Sequence, residues 1–511
     1  MVPVVRSNLV LTARTDSRPA GDVLVHVQRD SCVALHRQIE ASIRDGIRAG
    51  RLARGTALPP TRVLARDLGI SRGVVVEAYQ QLVAEGYLTS QAGGYTRVAI
   101  DRETAARPEP TAPMSTARID FCPCRADGSQ FPRLAWLRSV RRVLTEASPE
   151  DFGYVSGRGA PALHHALAAY LNRVRGTSAR PENIVICNGY AQGVGLIIHA
   201  LVKSGAKRLA VEDPSADDDA IPVARAAGLE VVGVPVGEDG VRVESLERTD
   251  ADALILTPSH QWPTGAVLAP DARTAALRWA ERRGALIVED DYDAEYRYDR
   301  APIGAMQGLA PDRVVYAGTA SKTLAPGLRL GWLVVPAGLV DDIAHAKSLA
   351  DRGSPVLDQL AFADFLERGE FDRHLRRMRP LYRRRRDALI RAVRERTPDL
   401  EPAGIAAGLH LVAYLPSDLD ETTLVDAAAR RGIAVYGLAP YRISSDGRGG
   451  LIFGYATLSE RTIVEGVEIL AEAIADVRSK RPQDASSSRA SALPLPAGPG
   501  IRRMLRQIGT R

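Results

Sequence analysis

Apolar residues recur at every fourth position from Leu35 through Ile39 and Ile43 to Ile47, a spacing that lines one face of a helix over 34–49. Leu58-Pro-Pro-Thr61 then stops the chain and offers Thr61 as the cap of a second helix through Leu64, Ala65 and Leu68. Gly69-Ile-Ser71 predicts a tight turn with Ser71 as the next cap. A third helix follows over 72–84, with Val75, Ala78, Tyr79 and Leu82 facing inward. Gln91–Tyr95 predicts a hairpin turn between Tyr87-Leu-Thr89 and Thr96-Arg-Val-Ala99. Beyond this the period changes. Short apolar runs at 184–187, 208–211, 253–256, 285–288, 314–316 and 330–335 alternate with helical stretches such as 164–174 and 273–283. That alternation predicts an α/β fold with a mostly parallel sheet covered on both faces. Residues 100–117 are rich in Pro, Ala and Thr without a period and read as a linker. The resulting plan is a disordered leader over 1–22, a small unit over 23–99, the linker, a large unit over 118–477, and a disordered basic tail over 478–511.

Helix, helix, short turn, helix and hairpin, in that order within 23–99, predict a winged helix-turn-helix whose third helix enters a major groove of DNA. Arg62, Ser71 and Arg72, with Gly93, Gly94 and Thr96 of the wing, are the candidate phosphate and base contacts. A three-helix dimerisation module is the plainer alternative. Charge separates the two. Residues 28–99 hold ten Arg against six acids, and 478–511 hold eight Arg or Lys against Asp484 alone. With a net charge of +6 for the whole chain, the remainder is mildly acidic. Basic ends around an acidic body suit a chain whose ends meet phosphates. The tail adds non-specific DNA affinity or has no role; the sequence leaves both open.

The chain has 511 residues, 45% hydrophobic and 25% charged, enough to bury large cores. No run of about 18 apolar residues is present, so no membrane-spanning helix is expected. The first twenty residues lack the apolar core of a secretory signal, and four cysteines give no disulfide framework. Cys122-Pro-Cys124 is too tight for ordinary pairing and has no second ligand pair near it, so no metal site is expected. A reducing, cytoplasmic setting follows.

Of 67 basic residues only five are lysines, so each lysine stands against a strong bias. Lys322 lies in Gly318-Thr-Ala-Ser-Lys-Thr-Leu-Ala-Pro-Gly-Leu-Arg329. An arginine keeps its proton and cannot form a Schiff base; a lysine can. Thr319, Ser321 and Arg329 are close enough in sequence to gather a phosphate beside it. A second cluster, Glu289-Asp-Asp-Tyr-Asp293, follows a fully apolar strand, and acids at the C-terminal end of such a strand sit where α/β sheets bind ligands. Pyridoxal 5′-phosphate (PLP) needs an acid at its pyridine nitrogen, and Asp290 is the candidate, with Tyr292 at the ring's phenolic oxygen. Gly189-Tyr190 opens a helix that can present amides to the phosphate. His260 or Gln261, in Thr257–Gly265, can reach the cofactor oxygen, or that loop is a plain turn.

Leu35-His-Arg-Gln-Ile39, Gly55–Ala65, Leu68-Gly-Ile-Ser-Arg72 and Ala84-Glu-Gly-Tyr-Leu88 resemble, in order, the DNA-binding domain of GntR-type bacterial regulators. Residues 118–477 resemble fold-type I aminotransferases. Thr257–Gly265, Glu289–Tyr298 and Gly318–Gly331 are similar to the motifs of the MocR subfamily, which fuses the two. The resemblance implies a transcription regulator with PLP on Lys322. It also implies a homodimer arranged head to tail. Four departures matter. Tyr95 stands at the wing tip where the family has glycine. Val74 replaces a threonine of the recognition helix. Ser215-Ala216 follow Glu212-Asp-Pro where an aromatic covers the cofactor ring, and Tyr190 is a candidate to fill that space. The substrate-carboxylate arginine is missing near Leu451–Tyr455, with Arg442 and Arg448 only near in sequence, and Asp217, Asp218 and Asp219 add repulsion for an anion. Two signals fit: an unusual amine, or PLP itself, which is the preferred one. A working aminotransferase that carries a DNA-binding domain is the alternative, and a large unit without cofactor a third.

Overall fold

A computed structural model describes residues 25, 27–90, 95–100, 117–215, 220–298, 303–444 and 447–479, with a few backbone pieces ahead of them. In the stretch read as a leader, Val10–Leu11 pairs with Val23–Leu24 and Arg14–Thr15 with Arg18–Pro19, both antiparallel. Gly93 and Gly94, most of the linker, and the tail from Lys480 onward lie outside the described residues. The chain divides into two compact units, 1–113 and 114–511.

In the small unit three helices run over Leu35–Arg48 (α1), Thr61–Leu68 (α2) and Arg72–Ala84 (α3). Leu88–Thr89 (β1) and Arg97–Val98 (β2) pair antiparallel. Ile39, Ile43 and Ile47 of α1 meet Val75, Ala78 and Leu82 of α3 in one core, closed by Leu58, Leu64, Leu88 and Val98. Burial of these side chains, each worth about 1.5–3 kcal/mol, holds together helices too short to persist alone. Two cap expectations change. Pro60 is the cap residue of α2 and Thr61 its first helical residue, so the Thr61 hydroxyl caps nothing and instead faces the Arg72 Nε at 3.4 Å. Ser71 does occupy the cap position of α3, but its side chain makes no capping bond. Gly69 closes α2 at φ +64°, the left-handed turn that lets α3 leave at a new angle.

The large unit begins with Ile119–Asp120 (β3) and the helices Arg133–Glu146 (α4) and Pro161–Arg175 (α5). Its main sheet is built from Ile184–Cys187 (β4), Arg208–Asp213 (β5), Glu230–Gly237 (β6), Gly240–Val241 (β7), Ala253–Leu256 (β8), Leu286–Asp291 (β9), Val314–Thr319 (β10) and Gly331–Val334 (β11). The order is β7-β6-β5-β8-β9-β10-β11-β4, and only the pairs involving β7 and β11 are antiparallel. Five of these strands are buried along their whole length, as expected where helices cover both faces. Side chains alternate between the faces. Ile184, Ile186 and Trp332 join Leu167, Leu171 and Phe362 on one side. Val185, Cys187 and Leu333 join Val194 and Ile197 of the helix Tyr190–Lys203 (α6) on the other.

A second sheet follows. Glu401–Ala403 (β12), His410–Tyr414 (β13), Tyr436–Gly437 (β15) and Gly450–Gly454 (β16) lie antiparallel in the order β12-β13-β16-β15, while Ile433–Ala434 (β14) pairs in parallel with β3. The segment after β3 is laid tightly on β16. The Gly454 amide donates to the Phe121 carbonyl at 2.8 Å, and a Cβ on Gly454 would fall 1.9 Å from the Cys122 carbonyl oxygen. Only glycine admits that approach, and it delivers Cys122 and Cys124 to the mouth of the main sheet. Among the described residues no helix is long and apolar enough to cross a membrane.

Candidate functional site

In the small unit, Arg62, Ser71 and Arg72 are exposed at the start of α2 and α3, where helix N-termini also present free amides. Arg29 ties the turn between them by donating to the Gly69 carbonyl. Thr96 is half-buried and its carbonyl accepts from the Leu58 amide at 2.8 Å. Tyr95, read above as a wing-tip residue, is 61% exposed. Val74 is half-buried and packs partly against the core.

In the large unit a cavity of about 430 Å³ opens at the C-terminal ends of the parallel strands. Four of these strands deliver side chains there. Glu212 comes from β5, Thr257 follows β8, Asp290 ends β9, and Thr319, Ser321 and Lys322 end β10. Tyr190, first residue of α6, and Arg329 complete this wall. Seven of the ten residues proposed to hold a cofactor therefore line one cavity: Tyr190, Asp290, Tyr292, Thr319, Ser321, Lys322 and Arg329. Gly189 lies just behind. It caps α6 at φ +82°, and a Cβ there would come 2.9 Å from the Arg329 guanidinium, which itself donates to the Asn188 carbonyl. The space beside the α6 amides is thus a cradle that a side chain at 189 would fill.

Strand alternation explains why Asp290, and neither acid beside it, faces the cavity. Glu289 and Asp291 point to the other side of β9. Asp291 pairs with the fully buried Arg175 at 2.7 Å and accepts the Tyr316 hydroxyl at 2.7 Å. Glu289 accepts the amides of Met306 and Gln307, and burial raises its carboxyl to about 7. Glu212, on the cavity side, is likewise raised to about 7 by burial, against hydrogen bonds from the Thr257 hydroxyl, the Thr257 amide and Gln261.

Two expectations fail here. Gln261 does not reach the cavity. Its amide donates to the Pro214 carbonyl at 2.9 Å and its oxygen accepts from Thr264, which locks the loop. His260 is also behind the wall: its Nδ1 lies 3.0 Å from Asp293, and its carbonyl accepts the Tyr292 hydroxyl at 3.0 Å. It holds Tyr292 and touches nothing in the cavity. His260, Asp293 and His410 form one buried group with donor atoms within 4.8 Å of one another. Arg442 and Arg448 stay outside the lining. Arg442 donates to the Arg448 carbonyl, and Arg448 holds the Leu415 carbonyl and pairs with Glu401.

The remaining wall was hidden from the sequence. Cys122, Pro123, Cys124, Trp262, Tyr436 and Tyr441 come from three separate stretches. Cys124 adopts φ +52°, unusual for a residue with a side chain, and its thiol lies 3.6 Å from Nδ1 of His410. Tyr441 is set by the Ser215 amide, which donates to its carbonyl at 2.8 Å, while Asp213 accepts the amides of Ile443 and Ser444. Ala216 and the three acids after it lie outside the described residues.

Comparison with known proteins places these features. The family described as "Aminotransferase class I and II" matches residues 124–470, and "Bacterial regulatory proteins, gntR family" matches 35–98. The chain is 35% identical over 479 residues to a probable rhizopine catabolism regulatory protein, MocR, of Rhizobium meliloti, covering 89% of this chain and 96% of that protein. It is 32% identical to the pyridoxine biosynthesis regulator PdxR of Corynebacterium glutamicum, over 83% of this chain and 93% of that one. Among solved structures, the α-aminoadipate aminotransferase LysN of Thermus thermophilus, complexed with N-(5′-phosphopyridoxyl)-L-leucine, matches with a TM-score of 0.64 at 27% identity. That match covers 71% of this chain and 93% of that one.

Proposed function

We propose that this chain, which belongs to the MocR-type bacterial regulators built from a GntR-family domain and an aminotransferase class I and II domain, binds operator DNA through its helix-turn-helix and couples that binding to what occupies the cavity of its large unit. One observation carries the cofactor half: a lysine, an acid at the same end of the neighbouring parallel strand, and a guanidinium beside a helix N-terminus share one cavity. That donor set fits PLP and little else. When bound, PLP supplies an aldehyde that condenses reversibly with primary amines. Lys322 is the amine placed to meet it. Asp290 holds a proton at the pyridine nitrogen, and Tyr292, fixed by His260, stands for the phenolic oxygen. Arg329, Thr319 and Ser321 offer donors to a phosphate, with the α6 amides beside Gly189. The signal is an amine or PLP itself, and it shifts DNA affinity only by binding two states of the protein unequally.

A second copy of the chain is supported by α4, whose Leu134, Leu137 and Leu144 are exposed along one side. An apolar face of that kind is what a homodimer would bury.

The DNA half is tested by binding of the full chain to a duplex taken from upstream of its own gene. Arg62→Ala with Arg72→Ala lowers affinity and reduces the salt slope by about one per lost phosphate contact. An unchanged slope and affinity contradict the assignment of this face.

A further inference from the structure

Among the described lysines Lys347 alone is fully buried, in a chain that otherwise prefers arginine. It lies on the helix Val340–Asp351 (α7), and its ammonium meets Asp351 one turn later at 2.6 Å. Such a pair gives up solvation at both charges, so stability alone is a weak reason for it. The other donors to Asp351 supply a better one. The carboxylate oxygen that meets Lys347 also accepts the side-chain amides of Asn188 at 2.9 Å and Gln192 at 2.7 Å. The second oxygen accepts the Gly353 amide at 2.8 Å. Asn188 and Gln192 flank Gly189, whose φ of +82° opens α6 beside Arg329. Gln192 turns its own oxygen back to the Asn188 amide at 2.8 Å, and the Arg329 guanidinium takes the Asn188 carbonyl. Asn188 is therefore held at its amide, its carbonyl and its side chain. Gly331 of β11 backs the same turn closely: a Cβ there would fall 2.9 Å from the Gly189 Cα. Asp351, Lys347 and Gln192 themselves stand outside the cavity lining.

We infer that Asp351 is a positioning residue for the phosphate of the cofactor: through Asn188 and Gln192 it fixes the turn at Gly189, so that the first amides of α6 and Arg329 face one space. This deepens the proposed function and rests on its reading of the cavity as a PLP site. A carboxylate suits the task because a charged oxygen holds several donors more strongly than a neutral one. Lys347 offsets that charge, and a compact ammonium fits a dry site where a guanidinium needs more room and more acceptors. A turn fixed in advance does not have to be ordered when the ligand arrives, which raises affinity for the group it faces. A pair that only ends α7 would leave phosphate recognition untouched.

PLP and pyridoxal differ only by the phosphate, so their affinities separate the two roles. The full-length protein, freed of cofactor, is titrated with each, and the visible absorbance is followed. Gln192→Ala cuts the link to the turn and leaves the Lys347–Asp351 pair in place. Asp351→Ala combined with Lys347→Met removes the carboxylate without stranding a buried ammonium. Both variants are expected to weaken PLP binding at least about tenfold and to keep pyridoxal binding within about twofold of the parent. Where circular dichroism shows the double variant unfolded, Gln192→Ala decides. The inference is overturned if PLP and pyridoxal lose affinity together in Gln192→Ala, or if neither does. If the parent forms no cofactor band with PLP, or Lys322→Ala keeps the band, the PLP reading itself fails and takes this one with it. A band present in the parent and lost in Lys322→Ala leaves that reading standing, and the two variants then judge Asp351 alone.

Discussion

At one wall of the cavity Thr319, Ser321, Lys322 and Arg329 come from a single stretch, 319–329; at the other, Cys122, Trp262, Tyr436 and Tyr441 come from three, around 122, 262 and 436–441. The first wall is cationic and made of hydroxyls and a guanidinium at the end of β10. The second is neutral: Trp262 follows β8 of the main sheet, while Cys122 comes from the segment after β3 and Tyr436 and Tyr441 from β15 and the turn beyond it. A phosphate-binding wall can be carried by a short motif, since its chemistry is local. A wall that selects the ligand's body depends on where distant elements meet, so it can change between relatives while the motif stays. On the proposed function, grip on the cofactor and choice of effector would be separable properties of one cavity.

Substitutions at each wall break or sharpen that separation. The largest effect is expected from Lys322→Ala, which abolishes the visible cofactor band and every amine response, checked by absorbance. Arg329→Ala comes next. Loss of a charge-assisted contact to phosphate is worth about 1.5–3 kcal/mol, so affinity for PLP falls by about ten- to a hundredfold. Once PLP is saturating, the affinity for operator DNA stays as in the parent; a changed affinity would mean that Arg329 does more than hold the phosphate.

Glu212 gives a smaller, pH-dependent effect. Burial holds its carboxyl at about 7, above the ordinary 4.5. Folding therefore takes up a proton, and the stability gained is present in full below about 4.5 and is lost as the pH rises through about 7. Glu212→Gln cannot ionise, and it keeps an oxygen for Thr257 and Gln261. Between pH 5 and 8 the variant is expected to lose on the order of 2–3 kcal/mol less stability than the parent, read from denaturant midpoints. Smallest is Cys124→Gly. Glycine accepts φ +52° without strain, so stability changes by no more than about 1 kcal/mol in either direction, read from thermal melts. A large loss would show that the contact with His410 matters more than the backbone.

Legibility in the sequence follows the same division. Helix α3 is readable to the residue because Val75, Ala78, Tyr79 and Leu82 repeat on one face within a short span. Asp290 and Lys322 are readable because each sits in a motif at the end of an apolar strand. His260 and Gln261 mislead for a physical reason: they sit in a motif beside the site, but their polar atoms are satisfied by Asp293, Pro214 and Thr264. Thr61 misleads because Pro60 takes the cap position and the helix starts one residue later. Cys122 and Cys124 read as too tight a spacing for a disulfide and as lacking a second ligand pair for a metal, and nothing local says that Gly454 lets them lie on β16 at the cavity mouth. Tyr436 and Tyr441 carry no motif; their place is set by β15 and by Asp213, far away in the chain.

The account is tested most directly by the affinity of the full-length protein for a labelled duplex from upstream of its own gene, measured by fluorescence anisotropy with and without PLP. A shift of at least about fivefold in Kd for the parent protein, absent in Lys322→Ala, is the predicted result. The same Kd with the cavity loaded and empty would contradict it.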